Sequence, residues 1–213
     1  MKYPKINSLW KREEQTKKFI ENAYSVPEFT IIKHWLVEEK IDGMNTRIII
    51  EYVDSKTSNM TIKGRTDDAM MPAKLIDYLT NLFTPEKRQE LLNFMHAKTK
   101  VILFGEGYGP KIQSGGNYRN DIGFILFDIW GGNRWSTREE VKTLADLLNL
   151  PTPHTYGMMT EQEIIDLVKS KPNSPTAIRP MQFEGVICRS EPLLVNNYTR
   201  DPVMFKLKCK DFE

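Results

Sequence analysis

The order in which strand-like and helix-like stretches follow one another constrains this chain most. Two apolar, β-rich runs come first, around Ile31 to Val37 and Arg47 to Val53, separated by a polar break that includes Asp42-Gly43. That pattern predicts two strands joined through a tight turn. Met60 to Arg65 reads as another short strand. Leu75, Ile76, Leu79, Leu82 and Phe83 recur at helical spacing, and Thr84-Pro85 then supplies a cap and first-turn pair for a second helix carrying Leu91, Leu92 and Met95. Two strongly apolar strands follow, Val101 to Phe104 and Phe124 to Trp130, with a long loop from Gly105 to Gly123 between them. Ser136-Thr137-Arg138-Glu139 has the form of a capping box before a helix through Leu148, and Thr160 with Glu163 repeats it before a helix through Val168. Strands near Phe183 to Arg189 and Val203 to Lys210 close the chain. Strands that alternate irregularly with helices favour a mixed, mainly antiparallel α+β fold over a doubly wound parallel sheet.

A chain of 213 residues can bury one good-sized core or two lobes around a cleft, and would be cramped as two full domains. With 27% charged and 40% hydrophobic residues its composition is ordinary for a globular protein. A net charge of +2 is compatible with a polyanionic partner without pointing to one. Cys188 and Cys209 show no metal spacing and read as free thiols of a reducing compartment. Met1 to Trp10 has no apolar signal core and no stretch is long and apolar enough to span a membrane, so the expectation is a cytoplasmic protein with no membrane partner. His34, His96 and His154 are scattered without ligand spacing.

The sharpest chemical signal is Glu39-Lys40-Ile41-Asp42-Gly43, a lysine at the end of an apolar strand followed by an acid and a glycine. A lysine is a nucleophile only when neutral, and an ordinary amine with a pKa near 10.4 leaves roughly one molecule in a thousand or fewer neutral at pH 7. A cleft, a neighbouring cation or a bound metal would have to favour the neutral form. Lys206 and Lys208 stand two apart in an apolar strand and so emerge on one face, an arrangement that calls for negative charge opposite, such as a triphosphate. Taken singly, Lys-x-Asp-Gly is better explained by a hairpin turn with a solvated lysine.

Read in order, Lys40-Ile41-Asp42-Gly43, Gly64-Arg65-Thr66, Phe104-Gly105-Glu106, Leu126-Phe127-Asp128-Ile129, Glu184-Gly185-Val186 and Lys206-Leu207-Lys208 resemble the six motifs of the covalent nucleotidyltransferase superfamily, which contains ATP-dependent DNA and RNA ligases and GTP-using capping enzymes. Asn45, two residues after the Lys-x-Asp-Gly glycine, is similar to the pattern of RNA ligase 2-like proteins, as is Gly105-Glu106-Gly107-Tyr108-Gly109-Pro110. The resemblance implies a two-lobed α+β body of mainly antiparallel sheets with flanking helices around a nucleotide cleft, an ATP-grasp-like nucleotidyltransferase fold.

It also implies roles. Lys40 would carry AMP covalently, with pyrophosphate leaving, and Lys206 and Lys208 would neutralise charge on the transferring phosphoryl group. ATP would be bound by Glu39, Ile41, Asn45, Arg65, Glu106, Phe127 and Val186. In that set Glu39 reads the adenine amino group, Asn45 and Arg65 meet phosphate or ribose, Glu106 accepts from a ribose hydroxyl, Phe127 stacks on the base and Val186 closes its other side. Glu184 and Asp42 would help hold Mg2+ or Mn2+. Without that context Phe127 reads as strand core, Arg65 as a solvated strand end and Glu184 as the partner of a surface lysine; Asp128, on the other strand face from Phe127, reads as a structural acid. The loop Ser114 to Arg119 suits a phosphate or nucleic-acid contact or plain solvation, and Arg189, Arg200 and Lys210 could meet a phosphate backbone.

The implied activity is sealing of 3'-hydroxyl and 5'-phosphate ends by an ATP-dependent ligase, on RNA before DNA. A DNA ligase, a GTP-dependent capping-type enzyme and a non-catalytic nucleotide or nucleic-acid binding module are the alternatives. Only five residues follow Lys208, so the expectation is a single nucleotidyltransferase domain over residues 1–213 with no C-terminal OB-fold or helical domain. Either the chain acts alone, a protein partner supplies the missing grip, or it is part of something longer.

Overall fold

The computed structural model describes residues 1–54, 57–96 and 99–213. In chain order its strands and helices are β1 (Asn7–Ser8), β2 (Trp10–Arg12), β3 (Phe19–Tyr24), β4 (His34–Glu39), β5 (Met44–Tyr52) and β6 (Ser58–Gly64). Then come α1 (Ala73–Leu82), α2 (Pro85–Phe94), β7 (Lys100–Tyr108), α3 (Gly115–Tyr118), β8 (Gly123–Trp130) and α4 (Arg138–Leu148). The last are β9 (Thr155–Thr160), α5 (Glu161–Lys169), β10 (Gly185–Arg189) and β11 (Met204–Lys208). The residues form two compact units, Met1–Tyr3 with Asp42–Thr152, and Pro4–Ile41 with Pro153–Glu213.

The first unit is built on a four-stranded antiparallel sheet in the order β6-β5-β7-β8. Ile48 and Ile50 of β5 are fully buried, as are Val101 and Leu103 of β7, and Leu75, Leu79, Leu91, Leu92, Val141, Leu144 and Leu148 from the three long helices pack into the same core. Thr84 caps α2 by accepting the Lys87 amide, as the Thr-Pro pair predicts. The box before α4 sits one residue later than the sequence suggested, on Thr137 and Glu140. Ser136 is not the cap: its amide donates to the Ile129 carbonyl at 2.9 Å, which removes the donor a capping box needs, and its hydroxyl is buried without a hydrogen-bond partner.

The second unit has a five-stranded sheet in the order β1-β11-β10-β4-β9, antiparallel except for the β1–β11 pair, and a separate β2–β3 ribbon. Its core is aromatic where the first is aliphatic, with Trp10, Phe29, Trp35, Phe183 and Phe205 packed against Ile164, Ile165 and Val168 of α5. The expected mixed, mainly antiparallel α+β class is what both units show. Among the described residues no helix is long and apolar enough to cross a membrane.

Two local expectations are corrected. The chain around Asp42-Gly43 is not a hairpin turn, because β4 pairs with β10 and β9 while β5 pairs with β6 and β7. The glycine is needed for close approach: a Cβ on Gly43 would lie 2.5 Å from the Gly107 carbonyl oxygen. The presumed loop also begins late, since β7 continues through Gly105-Glu106-Gly107-Tyr108 and the connection contains the single turn α3.

Candidate functional site

In the second unit Lys40 follows directly on β4, and its amide donates to the Gly185 carbonyl at 2.9 Å, so its backbone is tied to the start of β10. Glu184 stands just before that strand and its carbonyl accepts from the Cys209 amide at 3.0 Å. Between these anchors the Glu184 carboxylate takes two ammonium groups: Lys40 Nζ donates to Oε2 and Lys208 Nζ to Oε1, each at 2.5 Å. The three side chains are 19% to 23% exposed, neither solvated nor sealed. Lys206 shares a half-buried face of β11 with Lys208, while Phe205 and Leu207 turn into the core. Gly185 holds φ +148°, and a Cβ there would meet the Leu207 carbonyl at 2.1 Å; only glycine allows Glu184 to be carried so close to β11.

Glu39 is 1% exposed and pairs across the sheet with Val186, itself wholly buried in the core. Its carboxylate accepts from the Thr176 hydroxyl through one oxygen, while Oε1 is buried with no hydrogen-bond partner. The Tyr156 hydroxyl is a second buried polar atom without a partner, and burial, followed by the charge on Glu39, pushes its pKa up to about 12. Unpaired buried polar groups are expensive, and these two lie within electrostatic reach of one another. Ile41 is buried beside the lysine in sequence. Thr176 and Tyr156 escaped the sequence reading. Thr176 lies in an irregular stretch, and the strand bearing Tyr156 includes Gly157 at φ +94° and lacks a clean alternation.

In the first unit, Asn45 of β5 and Glu106 of β7 are direct cross-strand partners, which puts their side chains on one face. Glu106 is half-buried, and the Asn45 Oδ1 atom is buried without a partner. Arg65 follows β6 and is exposed. Its loop is held by Arg47, which is 1% exposed and donates to the Gly64 carbonyl at 2.8 Å, to the Met1 carbonyl at 2.9 Å and to Asp67 at 2.8 Å. That guanidinium lowers the Asp67 pKa. Phe127 is half-buried on β8, its ring in edge contact with Tyr3 at 5.0 Å between centroids. Its carbonyl accepts from Arg138, which also pairs with the buried Asp128 at 3.7 Å, and Asp128 accepts from the Tyr3 hydroxyl. Asp128 is thus the structural acid that strand alternation indicated. The Asp42 side chain is half-buried, and its amide donates to the Tyr118 hydroxyl at 3.2 Å.

Tyr3, Arg47 and Tyr118 are supporting residues that no local pattern disclosed, because each acts on a residue far away in sequence. In the Ser114 to Arg119 loop, Arg119 is bound bidentately to Asp121 at 2.7 and 2.9 Å, which raises its pKa and engages it within the loop. Arg189 is corrected outright: it is 2% exposed and paired with buried Glu38 at 2.8 Å, so it cannot face a phosphate backbone. Among the described residues no group of three or more His, Cys, Asp or Glu side chains is placed to hold a metal ion.

Solved structures identify the class of this fold. Over 100% of its length the chain is similar to a Naegleria gruberi RNA ligase variant with ATP and Mn, at 16% identity and TM-score 0.66, covering 57% of that chain. The same ligase with PPi gives 16% identity and TM-score 0.64, again over 100% of this chain and 57% of that one. A variant with AMP and Mn gives 18% and 0.60, over 99% and 62%. The fold is that of a ligase nucleotidyltransferase domain. The chain belongs to the RNA ligase family, whose model matches residues 33–208. A search of curated proteins returned no match.

Proposed function

We propose that this chain is an adenylating nucleotidyltransferase domain of an ATP-dependent RNA ligase, with Lys40 as the nucleophile. The observation that carries the reading is the Glu184 carboxylate shared by Lys40 and Lys208, with two ammonium groups brought to one acid from separate segments of a sheet. The family match supports it, as do neighbouring structures obtained with ATP, AMP and PPi.

In the proposed first step Lys40 Nζ attacks the α-phosphorus of ATP. The N–P bond forms, the bond from that phosphorus to the bridging oxygen breaks, and pyrophosphate departs. The proton lost by the amine has Glu184 Oε2 as its nearest acceptor, at 2.5 Å. Lys208 and Lys206 lie on one strand face, where fixed cations would meet the charge that grows on the phosphoryl oxygens. Glu39 Oε1 offers a buried acceptor for the exocyclic amine of adenine, with Val186 its cross-strand neighbour. In the same proposal Phe127 supplies a stacking face for the base, and Asn45, Glu106 and Arg65 supply polar contacts to ribose and phosphate. Mg2+ or Mn2+ held by Glu184, with Asp42 as a further acid and phosphate oxygens completing the shell, would polarise the phosphate. AMP then passes to a 5'-phosphate, and a 3'-hydroxyl attacks that phosphorus, releasing AMP and closing the strand. RNA is the favoured substrate because the family is that of RNA ligases.

The test is self-labelling. Incubation with labelled ATP and a divalent metal should leave label on the denatured chain, GTP should not substitute, and Lys40→Ala should reduce labelling to background. No labelling by either nucleotide would turn the reading towards a binding module. Nicked RNA, nicked DNA and single-stranded ends then rank the sealing substrates.

A further inference from the structure

Strand β9 departs from regular pairing where it passes the end of β4. Val37 stands opposite Gly157 and Glu38 opposite Thr155, so Tyr156 is an extra residue with no counterpart across the ladder. Gly157, at φ +94°, supplies the backbone freedom for this bulge, and the Glu39 amide closes the pairing on the His154 carbonyl at 2.8 Å. A bulge re-aims the side chain it frees. The Tyr156 ring is held edge-on by His154 at 4.8 Å and by Phe183 at 6.3 Å between centroids. Its hydroxyl is nevertheless buried with no partner, as is Oε1 of Glu39. Burial, and after it the charge on Glu39, keeps the phenol protonated, so at neutral pH the hydroxyl is a donor within reach of a carboxylate acceptor. The Thr176 hydroxyl donates to Glu39 Oε2, which fixes the carboxylate and leaves Oε1 as its open oxygen.

We propose that Tyr156 and Thr176 recognise adenine together with Glu39, Tyr156 by donating to a ring nitrogen of the base and Thr176 by holding Glu39 Oε1 for the exocyclic amine. Adenine carries an amine donor flanked on each side by a ring-nitrogen acceptor, so one acceptor and one donor fixed near each other match its edge. Guanine carries a carbonyl oxygen in place of that amine and would set it against the carboxylate. A pocket built for one hydrogen-bond pattern rejects the other, because the wrong base leaves buried groups unmet. This recognition rests on the reading of Lys40 as the adenylated nucleophile and deepens it, since Glu39 alone was assigned to the base there. Tyr156 touches the base, and Thr176 acts through Glu39 as a positioning residue.

The experiment is self-labelling by nucleoside triphosphates labelled on the α-phosphate, with the rate followed against nucleotide concentration. Tyr156→Phe removes only the hydroxyl and should raise the half-saturating ATP concentration about tenfold at an unchanged limiting rate. Of 1-deaza-ATP and 7-deaza-ATP, each lacking one ring nitrogen beside the amine, one should bind the wild type more weakly than ATP and lose nothing further in Tyr156→Phe. Thr176→Val should cost about tenfold with ATP and nothing with purine riboside triphosphate, which has no amine, and should lower the preference for ATP over GTP. The melting temperature of Tyr156→Phe should hold or rise, because an unmet buried group is removed. A lower melting temperature with unchanged ATP saturation would make the hydroxyl a structural group bonded through a buried water and overturn the proposal. Equal losses with ATP and both deaza analogues would overturn it too. Absence of label on the wild-type chain brings down the nucleotidyltransferase reading itself, whereas a labelled wild type indistinguishable from both variants overturns the recognition proposal alone.

Discussion

Glu184 in one unit and Glu140 in the other each gather two sets of donors, yet they draw them from very different distances along the chain. Glu140 binds both guanidinium nitrogens of Arg134, at 2.8 and 2.5 Å, and accepts from the Thr137 amide at 2.8 Å. All of its partners lie within six residues, and what they complete is the N-terminus of α4. Glu184 takes lysines from 144 and 24 residues away, and neither contact caps a helix or closes a strand. Ion-pair geometry does not separate a site from a scaffold. The separation comes from whether the pairing performs a local structural task, and Lys40–Glu184–Lys208 performs none that the backbone requires.

The largest test of that contrast is Glu184→Gln, which keeps the side chain's shape and removes its charge. Self-adenylation should fall about 10²- to 10³-fold, the range found when a preorganised electrostatic group is removed from a phosphoryl or acyl transfer site. Stability should change by less than about 1 kcal/mol, because the group is partly solvated and surface-type pairs contribute little. A melting temperature that drops steeply while labelling persists would make Glu184 a scaffold residue and erase the contrast. The buried Glu38–Arg189 pair, at 3% and 2% exposure, sets the opposite standard, since removing one partner of such a pair destabilises by about 3–5 kcal/mol.

Asn45 sharpens the comparison from the first unit. Its buried Oδ1 has no partner, so Asn45→Ala removes an unmet acceptor and should leave the melting temperature unchanged or slightly raised. The same substitution should raise the KM for ATP about tenfold, if that oxygen is reserved for a donor in the nucleotide complex. Lower stability with an unchanged KM would show that the side chain serves the sheet and not the ligand.

How much of this was legible in the sequence depended on how far each cause lay along the chain. The apolar runs of β5, β7 and β8 and the periodic faces of α1, α2 and α4 were visible because their burial is written into neighbouring residues. Lys206 and Lys208 on one face followed from strand alternation alone. The false hairpin at Asp42-Gly43 shows the limit: both flanking strands exist, and only distant partners, β10 for one and β7 for the other, decide that they part. Arg189 was misjudged for the same reason, its burial depending on Glu38, 151 residues earlier. Tyr3 beneath Phe127 and Tyr118 on the Asp42 amide are likewise long-range. The short strands β1 to β3 went unseen because their exposed edges carry little apolar pattern.

The smallest expected effect belongs to Glu140, and it completes the contrast with Glu184 through pH. Its pKa is drawn from an ordinary 4.5 to about 2, first by the hydrogen bonds from Arg134 and against the opposing effect of burial. A carboxylate whose folded pKa is depressed favours folding while it is ionised. Its contribution is therefore complete above about pH 4.5 and fades as pH falls through about 2. With a third of the side chain exposed, solvent screening keeps the electrostatic part modest. Glu140→Ala, which also dismantles the capping box, should lose about 1 kcal/mol at neutral pH. Melting curves of wild type and Glu140→Ala should draw together as the solution is acidified, while self-labelling at neutral pH stays the same. If the variant instead loses labelling with its fold intact, α4 participates in the chemistry, and local pairing can no longer be used to set scaffold acids apart from site acids in this protein.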